Sequence, residues 1–191
     1  QPLMDFTEAL APAIKKISKY IVCEPKKSGG SLSRIYRDTR FSKNKSPYHT
    51  HMSLRFWHSA GKKVDVPGFY IHISTYEIYL GTGIWHPQPP ALQKIRKAIA
   101  TKKPNEWTKA WENKPFRKHY KPAGESLKRP PKGFDADHPF IEDLKRKDFA
   151  AFCSIKKTDF LKPNFLTNAV KLWDLSSPLM KFLCDALGKK Y

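Results

Sequence analysis

Three short stretches in which apolar and polar residues alternate, the first two separated by eleven residues and the last two by one, constrain this chain more than any other feature. Met52, Leu54 and Phe56 alternate with Ser53, Arg55 and Trp57. FYIHIS sets Phe69, Ile71 and Ile73 against Tyr70 and His72, and YEIYLG repeats the pattern from Tyr76, with Ile78 and Leu80 inward. A period of two is that of a strand with one buried face. Connections this short leave no room for a crossover helix, so 52–57, 69–74 and 76–80 are predicted to be adjacent antiparallel strands with Leu54, Ile71 and Ile78 in the core. Gly81 and Gly83, in LGTGIW, leave the end of the third strand without side chains, which predicts a bulge or the close approach of another backbone or a ligand.

Around these strands the period changes to that of helices. Leu10, Ile14, Ile17 and Ile21 lie on one face of a predicted amphipathic helix whose outer face carries Lys15, Lys16 and Lys19. CEPKKSGGS then breaks the pattern and reads as a loop. Further on, Leu92, Ile95 and Ile99 form one stripe and Trp107 and Trp111 another. Ser177 and Pro178 read as the cap and first turn of a last helix that buries Leu179, Phe182, Leu183, Ala186 and Leu187. FAAFCSI, 149–155, adds a candidate fourth strand. The expected fold is α+β, an antiparallel sheet flanked by helices with a helical C-terminal third, and 1–191 reads as one domain.

The 191 residues are 40% hydrophobic, enough for a real core, and no stretch is long and apolar enough to cross a membrane. The first residues do not read as a secretory signal, and Cys23, Cys153 and Cys184 show neither zinc-ligand nor disulfide-framework spacing. A cytoplasmic protein with buried free thiols and no membrane partner is expected. The extreme quantity is charge: 36 Lys and Arg against 17 Asp and Glu, a formal +19. Such an excess attracts phosphate-bearing partners.

Part of that charge is concentrated in RIYRDTRFSKNK, just ahead of the first predicted strand. If this segment is extended, Arg34, Asp38 and Arg40 share one face with Tyr36, while Arg37 points the other way with Ile35, Thr39 and Phe41. Planar guanidiniums separated by a carboxylate can hold a phosphate or carboxylate, and Lys43 and Lys45 extend the positive stretch. Asp38 is expected to bond to a basic side chain from another segment. A second basic loop, ESLKRPPKGFDADHPF, places Lys128, Arg129 and Lys132 around two prolines that stiffen it. Asp135, Asp137 and His138 in that loop read as turn formers. His49 and His51 would share a strand face near His72, which could also serve as acid or base, but no carboxylate stands at ligand spacing beside them. No metal site and no cofactor is expected. There is no P-loop, no G-x-S-x-G elbow, no H-E-x-x-H, and no G-x-G-x-x-G after a strand.

RIYRDTRFSKNKSPYHTH, PGFYIHI with the following GTGIW, and LKRPPKGFDADHPFIEDLKRKDF together resemble domain-of-unknown-function family 2461, a bacterial and fungal group, over most of the chain from about Arg34. The family pattern R-x-x-R-D-x-R-F-S-x-D-K-x-P-Y-K is met by Arg34, Arg37, Asp38, Arg40, Phe41, Ser42, Lys45, Pro47 and Tyr48. Asn44 stands where the family has aspartate and His49 where it has lysine, which argues against a shared metal site at His49. The resemblance also implies additional N-terminal helices that this sequence lacks. It implies no activity, but it directs attention to the same basic segments.

Three functions are therefore open. The first is binding of an anionic small molecule or nucleic acid through Arg34, Arg37, Asp38, Arg40, Lys43, Lys45, Tyr48, His72, Lys128, Arg129 and Lys132; its mark would be convergence of the two basic segments on one concave site. The second is an enzyme acting on an anionic substrate, with Asp38 or His72 as acid or base. The third is a scaffold in which the arginine–aspartate cluster is structural.

Overall fold

In a computed structural model, which describes residues 2–26, 29–61 and 65–191, the alternating segments pair as expected. The described strands are β1 (Ile21–Val22), β2 (His51–His58), β3 (Gly68–Ser74), β4 (Ile78–Ile84), β5 (Lys121–Ala123) and β6 (Phe149–Ser154). They form one antiparallel sheet in the order β1-β2-β3-β4-β6-β5. FAAFCSI supplies β6, which fills the place beside β4. The third strand lies later than predicted: Tyr76 is 93% exposed in the turn, and pairing continues through Gly81 and Gly83 to Ile84. The shift follows from β6, whose Ala150 and Phe152 lie opposite those glycines and give that stretch a partner.

The helices are α1 (Pro2–Ile17), α2 (Pro89–Lys97), α3 (Pro104–Trp111), α4 (Lys114–His119), α5 (Ile141–Leu144), α6 (Lys157–Phe160), α7 (Phe165–Leu175) and α8 (Ser177–Ala186). A π-helical turn, Ala98–Lys102, extends α2 and carries Ile99 into the core. The first helix starts earlier than its apolar spacing predicts and stops at Ile17, while Ile21 pairs with His58 in β1. The β-branched pair Ile21–Val22 suits an edge strand, and its i+4 spacing from Ile17 was coincidental. Of the loop expected over CEPKKSGGS, Lys27 and Ser28 lie outside the described residues.

All the large core side chains of the sheet lie on one face. Leu54, Ile71 and Leu80 are fully buried, and Ile78 is buried with them. α7 and α8 lie directly against β4 on this side. Trp173 of α7 stacks on Phe69, meets Phe56 edge-on and donates its indole N–H to the Gly81 carbonyl at 3.2 Å. Of the predicted buried face, Leu179, Phe182, Leu183 and, just past the helix, Leu187 are buried, while Ala186 is half-buried. Its cap, however, is Ser176 rather than Ser177. The Ser176 hydroxyl turns away from the helix, donating to the Trp173 carbonyl at 2.7 Å and lying 2.8 Å from the Thr82 hydroxyl. The helical layer thus grips β4 from beneath, and a tightly packed residue pair served by a buried hydroxyl outweighs the usual cap.

The three cysteines are free thiols: Cys153 and Cys184 are buried and Cys23 is half-buried. Burial raises their pKa values, Cys153 to about 11 and Cys23 and Cys184 to about 12, so they are inert at neutral pH. No helix among the described residues is long and apolar enough to cross a membrane.

Candidate functional site on the open sheet face

The opposite face of the sheet carries the alternate residues of the same strands. In register, Arg55, Tyr70, Gly81, Phe152 and Lys121 form one transverse row through β2, β3, β4, β6 and β5. Four strand spacings separate the two cations, about 19 Å. A neighbouring row holds Ser53, His72, Tyr79 and Ser154. With Gly81 and Gly83 as floor and Arg55, Trp57, Tyr70, Tyr79, Trp85 and Phe152 around it, the face forms a groove of about 310 Å³. That volume is at the small end of ligand cavities, enough for a planar ring with a short polar extension.

The glycines make the groove possible. A Cβ on Gly81 would stand 3.1 Å from the Tyr70 Cβ and 3.2 Å from the Phe152 ring, filling the space between them. Gly83 has φ +104°, and a Cβ there would collide with the Phe149 carbonyl oxygen, so only glycine lets β4 and β6 come together here. The predicted close approach is therefore that of the β6 backbone.

Aromatic rings continue diagonally across this face. His49 lies 4.9 Å from His51, His51 4.5 Å from His72, His72 4.7 Å from Tyr79 and Tyr79 4.7 Å from Phe152. Phe152 lies 5.5 Å from Trp85, which lies 5.0 Å from His86. All are ordinary ring-stacking distances. Burial and the neighbouring His51 lower the pKa of His72 against a weaker opposing effect of Glu77, and burial with His51 and Arg37 lowers that of His49. Both imidazoles are thus held toward their neutral, stacking form. Burial, the neighbouring Tyr70 and Glu77, and a hydrogen bond with Tyr70 push Tyr79 up to about 12, so it keeps its hydroxyl proton. Among the described residues no group of three His, Cys, Asp or Glu is arranged to hold a metal ion; the histidines stack instead.

The two basic segments do not meet. Arg34 to Tyr48 form a lobe beyond the His51 end of β2, closed by the Tyr36–Tyr48 bridge and by bonds from the Arg37 N–H to the Pro47 carbonyl and from the His49 N–H to the Ile35 carbonyl. Lys128, Arg129 and Lys132 lie in the connection from β5 to β6, which enters the sheet at the other strand end, Phe149, from the other edge. Antiparallel register thus puts the segments at diagonal corners rather than at the single concave site that would have marked the first reading.

Within the lobe, Asp38 does not reach another segment. It pairs with Arg40 two residues on, Oδ2 to Nη2 2.7 Å, and accepts the Arg40 backbone N–H at 3.2 Å. The side-chain bond from Arg40 holds the Asp38 carboxyl below its usual range, yet both side chains are largely exposed. This turn replaces the expected extended face because an aspartate side chain competes well for nearby backbone amides. Arg37 donates to the Ser42 hydroxyl at 3.4 Å, and Lys45 to the Thr39 carbonyl at 3.0 Å. Arg34, Lys43, Lys128, Arg129 and Lys132 form no ion pair among the described residues. Tyr48 is 53% exposed beside Tyr36, and Arg34 borders a second, apolar groove of about 790 Å³ formed with Leu3, Phe6, Ile35, Met52 and Phe160. Of the predicted site residues, only His72 lies in the diagonal row, which reaches the lobe through His49 and His51.

Arg55, Trp57, Tyr79, Trp85, Lys121 and Phe152 were not anticipated as site residues. The signal for part of this face was present: large aromatics at the polar-phase positions of the strands, followed by glycines. Lys121 and Phe152 lie on β5 and β6, whose place in the sheet the sequence did not reveal.

No curated protein and no solved structure is significantly similar to the chain. The profile of a family described as conserved hypothetical protein, DUF2461, matches residues 1–182, nearly the whole length. The sheet, its glycine-floored groove and the basic lobe are all contained in that match, and the chain belongs to the DUF2461 family.

Proposed function

We propose that the protein binds single-stranded nucleic acid across the open face of its sheet, one base entering the glycine-floored groove. The observation that carries this reading is the diagonal row of rings from His49 to Trp85, running from the basic lobe toward the strand end where the β5–β6 connection enters, with Arg34, Lys43, Lys128, Arg129 and Lys132 in those two segments forming no ion pair among the described residues. Nonspecific single-strand binders combine these two parts: aromatic rings on which bases stack, and basic side chains that follow the phosphates. Separated cationic corners suit an extended polyanion better than one small anion. Arg55 and Lys121 at the ends of the transverse row add charge on the face itself. The formal +19 supports steering of such a partner from a distance.

A second reading, a free nucleotide or similar phosphorylated ring compound, is favoured by the groove's modest volume. The two separate by titration of labelled single-stranded and double-stranded oligonucleotides at several salt concentrations, beside a thermal-shift series with nucleotides. Strand binding predicts affinity that falls linearly with salt on a log–log plot and prefers single strands. Nucleotide binding predicts a raised melting temperature with little salt dependence. Absence of both removes the groove reading.

A further inference from the structure

At the end of the ring row, His86 stands in the left-handed backbone region at φ +48°. Such a conformation is uncommon outside glycine and persists where surroundings over-determine it. What determines it here is Asp148, which is fully buried. Its Oδ1 accepts the His86 backbone N–H at 2.7 Å and its Oδ2 the Glu125 N–H at 3.0 Å. The same Oδ1 lies 3.1 Å from the His86 Nδ1. Gly124, at φ +95°, lets the β5–β6 connection close over the carboxylate, since a Cβ there would collide with Asp148.

Asp148 therefore does two things. The amide bonds join two loops, which any buried structural aspartate does. The contact at Nδ1 also sets the carboxylate against an imidazole that is 62% exposed. Nδ1 faces the Asp148 carboxylate, and Nε2 is the other ring nitrogen of this largely exposed side chain, beside Trp85 at the groove's rim. A buried carboxylate orienting an accessible imidazole is the arrangement of a general base. The charged pair nearest the dyad is Glu125 with Lys147, at 2.8 Å.

We propose that this rim is catalytic: His86, positioned by Asp148, takes the proton of a ribose 2′-hydroxyl, so that a bound single-stranded RNA is cut by transesterification. The proposal rests on the nucleic-acid reading of the groove. A base stacked among Trp85, Phe152 and Tyr79 leaves its ribose and phosphate at the rim, where His86 stands. The 2′-oxygen loses its proton to Nε2 and forms a bond to the adjacent phosphorus, and the bond from phosphorus to the 5′-oxygen breaks. The leaving oxygen takes a proton from water, and the resulting hydroxide is neutralised by the proton from His86. The products are a 2′,3′-cyclic phosphate and a 5′-hydroxyl, with no oxidant or reductant required. The nucleophile is already part of the substrate, so one oriented base contributes a large share of the rate.

The test uses the whole chain with a labelled single-stranded RNA and its all-deoxy counterpart, following binding and cleavage separately. Expected is binding of both, cleavage of RNA alone with cyclic phosphate ends, and about 100-fold or greater slowing in His86→Ala when the rate is read at saturating protein, so that any change in affinity is separated from the chemical step. Added imidazole should restore part of the His86→Ala rate, which a purely structural histidine would not allow. Asp148→Asn, if folded, should slow cleavage without imidazole rescue, marking it as a positioning residue. RNA that is bound but uncut, or cut equally fast by His86→Ala prepared alongside, overturns the catalytic proposal and leaves the binding reading intact. If neither oligonucleotide binds at low salt, both fall.

Discussion

The two faces of the sheet are made of alternate residues of the same strands, yet they hold aromatic rings in opposite ways. On the covered face, Phe56 and Phe69 are locked under Trp173, whose indole also binds the sheet backbone at Gly81. On the open face, Tyr70, Tyr79, Trp85 and Phe152 are only half-buried, supported by each other rather than by a helix. A ring under a helix contributes mainly to stability, whereas a ring left half-wet over glycines keeps contact area for a partner. The contrast therefore separates residues that hold the fold from residues available for binding.

The strongest way to break this comparison is to truncate one ring on each face. Trp173→Ala should lose about 3–5 kcal/mol in denaturant unfolding, from the cavity and the lost indole bond. Trp85→Ala should cost clearly less; equal losses would mean that the open face is as much core as the covered one. Next in size, Gly83→Ala should destabilise by about 1–3 kcal/mol, because alanine is strained at that φ and meets the Phe149 carbonyl. Unaltered stability there would show that β4 and β6 can separate locally. Tyr79→Ala should leave folding cooperative but weaken single-strand binding by about 1–3 kcal/mol, measured by fluorescence titration at fixed salt.

A smaller effect sharpens the comparison through pH. Because His49 and His72 are held below the ordinary histidine value, the unfolded chain binds protons more readily than the folded one. Stability is then undiminished above the unfolded pKa of about 6.5 and falls as pH drops through it toward the lower folded values. The double variant His49→Gln/His72→Gln should show a shallower fall in denaturation midpoint between pH 8 and pH 5, and an unchanged slope would place the dependence elsewhere. The smallest effect is expected at Asp38→Ala: its pair with Arg40 is exposed and local, so the melting temperature should stay the same. A clear drop would mean that the lobe is tied to the sheet through that carboxylate.

How much was legible in the sequence differs between these regions for a physical reason. Ile71 and Ile78 were readable as core because alternation depends only on local pleating. Tyr70 and His72 were readable as facing the other way, but whether that face was covered depended on where α7 and α8 dock. The basic lobe was conspicuous as composition, and its cations do lie exposed at one corner. Asp38 was misread because a turn two residues long competes with a long-range ion pair and ties down less chain. His86 and Asp148, 62 residues apart, carry no spacing signal at all.

By itself the sequence determined the α+β class, the three adjacent antiparallel strands around Leu54, Ile71 and Ile78, the apolar stripes of the helices and the positive charge, since each is set by local period or plain composition. Only the tertiary structure decided that β6 lies beside β4, that the basic segments occupy opposite corners, and that Arg55, Tyr79, Phe152 and Lys121 share a face with a glycine floor. Those are outcomes of strand order and register, which depend on packing between residues far apart in the chain, and a local pattern contains no term for them.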